Sequence, residues 1–296
     1  MNNLVNLFFL LSAKYLILFS LILSSFLPVL AAQDSVLIYI RDDVYSDYEE
    51  FIAGRDVSAI KNFSGINIRR DVVDMILAQQ ALKLGGFKYK FTYAPGKVNF
   101  RNTQMLQNGE LLLSFDSYWK SDASPLSDSI YISDEVIRNG EYVAGIYTSP
   151  KNKKTLAVKE LIDLQKLTAI STPKWRTDWQ TLQQLSLKEI VVQDSWLSMV
   201  RMVNLQWVDF ILMPFNSTPD KSFTMEKIHL VPVQGIGIIL KDSRHFVISK
   251  LHPKGSEAFQ AINKGLKILR KKGTISKAYE QSGFFIDKTK VDIINL

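Results

Sequence analysis

Residues 69–86, RRDVVDMILAQQALKLGG, decide the fold. Val72, Met75, Ile76, Ala78 and Leu82 recur at helical spacing along one side of 69–84. Gly85-Gly86 then stops the helix. Upstream, Val36-Leu37-Ile38-Tyr39-Ile40 is a short apolar run with β-branched residues and reads as a buried strand. Downstream, residues 87–93 (FKYKFTY) alternate with period two, as a strand does. Residues 99–107 predict a second helix, ended by Gly109, and Leu111–Phe115 a third strand, closed by Asp116. Strand, helix, strand, helix, strand predicts a parallel sheet with helices on its faces.

Residues 120–139 are rich in Ser, Asp and Pro and read as loop. A strand over 141–149 ends at Pro150, and Lys151–Lys154 reads as a crossover or exposed turn. The alternation then restarts, with helices at 155–164, 176–187 and 195–205 and strands at 167–170, 189–192 and 208–212. Two more strands are expected at 228–233 and 236–240, then helices at 243–251, 255–272 and 274–281. This is an α/β chain of two similar halves joined near 145–155, with a second crossing back near 232–242. The expected division is 33–148 for the first half, 149–234 for the second, and 235–296 returning partly to the first. No repeat of 20–50 residues points to a solenoid.

Composition narrows the function classes. The chain has 296 residues, 47% hydrophobic and 22% charged, which excludes intrinsic disorder. Zero cysteine removes disulfide scaffolds, zinc ribbons, iron–sulfur sites, thiol chemistry and a Cys-linked lipid anchor. A net charge of +7 does not by itself indicate nucleic acid. Residues 1–32 carry one charge, Lys14, then an apolar stretch to Leu27, Pro28 and Val29-Leu30-Ala31-Ala32. That order predicts a signal peptide cut after Ala31 or Ala32. The alternative is an uncleaved anchor, for which the stretch is short of the ~20 residues a bilayer needs. Both readings export the remainder, and cleavage would leave it free in the periplasm.

Several stretches together carry a family resemblance. They are Leu84-Gly85-Gly86, Leu106–Glu110 running into Leu111–Asp116, Asn204–Ile211 (NLQWVDFI), and residues 259–274 (FQAINKGLKILRKKGT). In order and spacing, over roughly 36–285, the chain resembles bacterial extracellular solute-binding protein family 3, the periplasmic amino-acid-binding components of ABC importers. The resemblance implies a two-lobed periplasmic-binding-protein-like fold, each lobe a mostly parallel sheet flanked by helices, joined by a two-segment hinge. It also implies a small polar ligand, an amino acid or related zwitterion or organic acid, delivered to a permease. The chain departs from the family in two places. Members use an Arg before the hinge strand to clasp the ligand carboxylate, and here only Arg138 lies between Asp122 and Tyr142. Where members place an Asp after the 208–212 strand, this chain reads Met213-Pro214-Phe215-Asn216. An altered ligand or a lost transport role would follow.

Ligands of open α/β sheets bind outside the carboxyl ends of the strands. Those ends supply Asp42, Tyr45, Asp116, Tyr118, Trp119, Trp175, Arg176, Thr177, Trp179, Asp194, Trp196 and Phe215 as candidate ligand contacts. Aromatics beside carboxylates suit a cleft with an apolar wall, or cation–π contact with an ammonium. Plugging of the sheet ends is the structural alternative for each Trp. Arg176 and Thr177 lie at a helix start, where free N–H groups and a guanidinium would hold a carboxylate; Thr177 or Asp178 could equally serve only as a cap. Asp42, Asp116 and Asp194 could pair with a cation or cap turns, and Asp209 reads as structural.

His229, His245 and His252 lack metal-ligand spacing, and no G-x-S-x-G, P-loop or G-x-G-x-x-G occurs. No cofactor or metal is expected. Lys264, Lys267, Arg270, Lys271, Lys272 and Lys277 form a basic run, either a solvated face or a surface for a membrane or permease. The expected protein is a monomer that binds a small molecule, engages a permease or a sensor, and does no chemistry. Its rivals are a sensing module without transport and a periplasmic hydrolase using paired carboxylates such as Asp116 and Asp194.

Overall fold

The computed structural model describes residues 35–66, 68–95 and 99–296. The expected signal peptide, 1–32, lies outside the described residues. The described residues divide into a small unit, residues 35–36 with 89–92, and a large one, from residue 37 to 88 and from 93 onward, which holds every site below.

The first elements are β1 (Ser35–Ile40), α1 (Asp42–Ile52), α2 (Arg70–Gly85), β2 (Lys90–Pro95) and α3 (Asn99–Asn108). β3 (Tyr118–Trp119), α4 (Lys120–Ala123), β4 (Ile130–Ile137) and β5 (Val143–Thr148) follow. Then come α5 (Lys153–Leu156), α6 (Leu161–Leu164), β6 (Thr168–Ser171), α7 (Arg176–Gln184), β7 (Glu189–Val192), α8 (Trp196–Asn204) and β8 (Ile211–Pro214). The chain continues through β9 (Phe223–Met225), β10 (Ile228–Pro232), β11 (Ile236–Ile239), β12 (Arg244–Ser249), α9 (Gly255–Lys271), α10 (Thr274–Gln281) and β13 (Asp292–Ile293). The fold is α/β and two-lobed, joined by a two-segment hinge.

In the first lobe α2 is buried on most of its surface, and Gly86 closes it at φ 101, a left-handed conformation that glycine adopts without strain. α9 crosses α2 at paired small residues. A Cβ on Gly85 would lie 1.9 Å from the Ala261 carbonyl oxygen, and one on Gly265 would lie 1.9 Å from that of Ala81. In the second lobe β6 and β7 pair in parallel, Phe210 bridges Ala169 in parallel, and α8 lays Met199, Val200 and Val203 onto Ile170 and Ile211.

The hinge is antiparallel. β5 runs from the first lobe to the second, pairing at Val143 and Ala144 with β11, along its length with β8, and at Tyr147 and Thr148 with β10. β11 carries the chain back. β13 then adds in parallel to the outer edge of β11.

The structure departs from these expectations in several places, among them 155–164, where two four-residue helices, α5 and α6, replace the one helix expected. Residues 243–251, expected as helix, form β12, a strand buried at all six positions between β3 and β4. It adds an antiparallel sheet that the strand–helix alternation does not predict. Residues 120–139, expected as loop, contain α4 and β4, because Ile130, Val136 and Ile137 bury against this sheet. Leu111–Phe115 is buried but, among the described residues, makes one isolated bridge, Leu113 to Ile248, in place of a strand. Asp42 and Asp43, expected at a strand end, occupy the first turn of α1, where acidic groups favour the helix dipole; Val44, Tyr48, Phe51 and Ile52 form its buried stripe.

Candidate functional site

At the first-lobe wall of the hinge, Arg70, Asp74, Asp116, Ser117 and Arg244 form one buried network. Arg70 reaches Asp74 one helical turn along α2 and donates to Asp116 at 2.9 Å. The Ser117 N–H and hydroxyl donate to Asp74 at 3.0 and 2.6 Å, and the Tyr279 hydroxyl donates to its other oxygen. Arg244 donates from Nε to the Ser117 hydroxyl at 2.9 Å and from Nη2 to the Ser117 carbonyl, with Asp116 at 3.7 Å. Burial works to raise the Asp116 carboxyl, but Arg70 and Arg244 outweigh it and hold it below the usual carboxylate range. At Asp74 burial prevails over the same two arginines and the carboxyl is raised.

Trp119, the register partner of Arg244, lies under that guanidinium at 4.6 Å, stacks on Tyr142 at 5.4 Å, and Tyr142 stacks on Phe284 at 4.7 Å. The other side of this part of the lobe holds a recess of about 20 Å³ among Arg41, Asn102, Asp116 and Tyr118, little more than the space one water needs.

The lobes touch at the N-terminus of α7. Arg176 donates from Nη1 to the Ser121 carbonyl at 3.0 Å and lies 3.6 Å from Asp122. The Thr177 hydroxyl donates to Asp242 at 3.3 Å, and the Ser121 N–H donates to the same oxygen at 3.1 Å. Beside these bonds opens a pocket of about 190 Å³, lined by Ser121, Thr177, Gln180, Thr181, Lys241 and Asp242. Asp178, in the first turn of α7, has its carboxyl pushed up to about 6 by burial, against the attraction of Arg244.

The expected site residues therefore scatter. Asp116 and Trp119 join one network, and Arg176 and Thr177 sit at the seam between lobes. Tyr118 turns its hydroxyl to Thr103 at 3.0 Å. Asp42 is exposed on α1. Tyr45 stacks on Tyr48 and Tyr93. Trp175 and Trp196 pack together at 6.0 Å, and Phe223 meets Trp196 edge-on, all against the second-lobe core. Trp179 is half-buried one turn further along α7. Asp194 is exposed and binds Lys174 at 2.7 Å and Thr172 at 2.6 Å. Phe215 packs in the hinge with Val143 and Ile239 and fills the space beside Gly145. Asp209 is structural, accepting from the Thr168 N–H and hydroxyl at 2.9 and 3.1 Å.

The sequence reading missed Arg70, Asp74, Lys241, Asp242 and Arg244. Asp74 carried a signal, since a carboxylate between Val73 and Met75 on a helix buried nearly all round needs a partner. Arg244 carries none, because the pattern of its stretch predicts a helix. Among the described residues, no cluster of His, Asp and Glu could hold a metal ion, and no helix is long and apolar enough to cross a membrane.

No family model and no curated protein matches the sequence. Solved structures do. The chain is similar to substrate binding domain 2 of Lactococcus lactis GlnP in its open conformation, at 12% identity over 87% of this chain and 98% of that one, with a TM-score of 0.54. It is similar to the periplasmic VFT2 domain of Bordetella pertussis BvgS, at 13% identity over 85% and 94%, TM-score 0.57. It is also similar to the ancestral amino acid-binding protein AncCDT-1, at 16% identity over 84% and 95%, TM-score 0.50. At these identities the likeness establishes the fold, that of the two-lobed periplasmic binding proteins.

Proposed function

We propose that the chain is a periplasmic solute-binding protein whose lobes, divided as 33–148 with 235–296 and 149–234, close on a small polar solute and then engage a permease. It acts by binding rather than catalysis, after removal of residues 1–32. One observation carries this reading: the 190 Å³ pocket at the seam is lined by residues from both sides of it and includes both Lys241 and Asp242 in its wall. Opposite charges among hydroxyls and amides match a zwitterion, the ammonium toward Asp242 and the carboxylate toward Lys241, with Arg176 close by. The volume is below the ~300–1,000 Å³ usual for drug-sized ligands, which favours an amino acid or small organic acid.

A thermal-shift screen of amino acids, polyamines and organic acids tests it, because a ligand of the native state raises the melting temperature with its logarithmic excess. A stabilising zwitterion whose affinity falls about tenfold in Lys241→Ala and in Arg176→Ala is the expected result. Stabilisation by no member of the panel, or by a member equally well in both variants, would overturn it. A second reading, a sensing module without transport, draws on the direct bonds of Arg176 to Ser121 and Asp122. These let the lobes hold each other without a bridging solute.

A further inference from the structure

The first lobe carries a larger concavity, about 560 Å³, between residues 58–61, the C-terminal half of α2 and the junction of α9 with α10. It shares no residue with the seam. Four lysines line it: Lys61, Lys83, Lys272 and Lys277. Lys83 is matched locally, its Nζ 2.7 Å from the Ser58 hydroxyl and 3.5 Å from Asp56. Lys61, Lys272 and Lys277 are exposed, and among the described residues their ammonium groups have no carboxylate partner.

The basic run of the last helices thus splits in two. Lys267 lies 3.7 Å from Asp134, and Arg270 binds the Glu135 and Val136 carbonyls and lies 3.8 Å from Glu141. Lys272 and Lys277 instead border the cavity. α10 starts there at Thr274 behind Gly273, with no side chain capping it, so its first N–H groups and positive helix end add to the same field. The apolar part of the lining is Ile60 and Leu269, both buried, and Leu84, 40% exposed. Gln80 fixes the facing wall, donating to the Val57 and Ile60 carbonyls at 2.8 and 2.9 Å.

Three uncompensated ammonium groups around a partly apolar hollow call for concentrated negative charge joined to an apolar body. A phosphate ester supplies up to two charges and three acceptor oxygens at one point. The volume falls in the ~300–1,000 Å³ range of small-molecule sites. We propose that this cavity binds a phosphate ester, its phosphate among Lys61, Lys272, Lys277 and the start of α10 and its organic part on Ile60, Leu84 and Leu269. A soluble ester and a phospholipid headgroup share that chemistry.

Calorimetric titration of the full chain with hexyl phosphate and with inorganic phosphate, beside co-sedimentation with phosphatidylglycerol and phosphatidylcholine vesicles, tests the proposal and separates the two sources. Hexyl phosphate should bind more tightly than inorganic phosphate. Lys272→Ala with Lys277→Ala should weaken it more than tenfold, near fivefold for each lysine. Binding of hexyl phosphate without vesicles assigns a soluble ester, and binding of phosphatidylglycerol vesicles that the same double variant loses assigns a lipid. Both positions are exposed, so the variant should keep the native circular dichroism spectrum; Lys61→Glu provides an independent check. Binding of neither probe, or binding that neither variant reduces, overturns the proposal.

Discussion

Arg244 lies over the indole of Trp119, its guanidinium carbon 4.6 Å from the ring centroid, and the two residues are cross-strand partners in β12 and β3. The cation caps a column that continues through Tyr142 to Phe284, and it also binds both the hydroxyl and the carbonyl of Ser117. Loss of one member of a buried ionic network leaves its partner uncompensated, which typically costs about 3–5 kcal/mol. Arg244→Ala should therefore lower the urea midpoint severely. Arg244→Lys keeps the charge but loses the planar stacking and the forked donors, and should fall between. An unchanged midpoint in Arg244→Ala would remove the network from the account of stability.

Asp178 makes stability depend on pH in the opposite sense to an ordinary salt-bridged carboxylate. Burial raises its folded pKa to about 6, against about 3.9 in an unfolded chain. The unfolded state then binds fewer protons between those values, so the contribution of Asp178 to stability is greatest below about pH 4 and is lost as pH rises through 6. The difference amounts to roughly 2–3 kcal/mol. Asp178→Asn should gain urea stability over the parent at pH 7 and none at pH 4. An equal effect at both pH values would show that the carboxyl titrates normally.

The crossing of α2 and α9 depends on Ala81 and Gly85 facing Ala261 and Gly265. Either added methyl would fall 1.9 Å from a backbone oxygen, which no rotamer change can relieve. The glycines are helical, so alanine would be preferred on propensity alone, by about 1 kcal/mol. Gly265→Ala and Gly85→Ala should nevertheless each destabilise by about 3 kcal/mol or more as the helices are forced apart. Thermal unfolding checks the sign, and a gain in melting temperature would refute the close crossing.

The local patterns that reveal α2, α7, α8, α9 and β5–β7 lie in periods of 3.6 and 2 and in their glycine and proline stops. The two-lobed order follows from them. β12 was not legible because Arg244-His245-Phe246-Val247-Ile248-Ser249 is buried on both faces, which leaves no alternation to separate strand from helix. β4 was hidden by Ser and Asp between its apolar positions. At the seam, Arg176 and Thr177 were legible as a helix start near a strand end. Their partners Ser121, Asp122 and Asp242 are not, because nothing local marks residues that meet only across a passage of the chain from one lobe to the other. The tryptophans are ambiguous for a related reason: indole suits a ligand cleft and a packed core equally, and Trp175 and Trp196 lie half-buried against the second-lobe core.

The C-terminal strand changes the mechanics of the hinge. The Asp292 N–H bonds the Gly235 carbonyl at 2.8 Å, that of Ile294 bonds Gly237 at 3.2 Å, and the Asn295 side chain grips both the N–H and the carbonyl of Ile239. The two crossing strands are thereby laminated to a third, as a splint is bound along a joint. Bending resistance in such a ribbon rises with each bonded ply. Residues 292–295 thus add a third ply to the hinge ribbon and brace β11 from its outer edge.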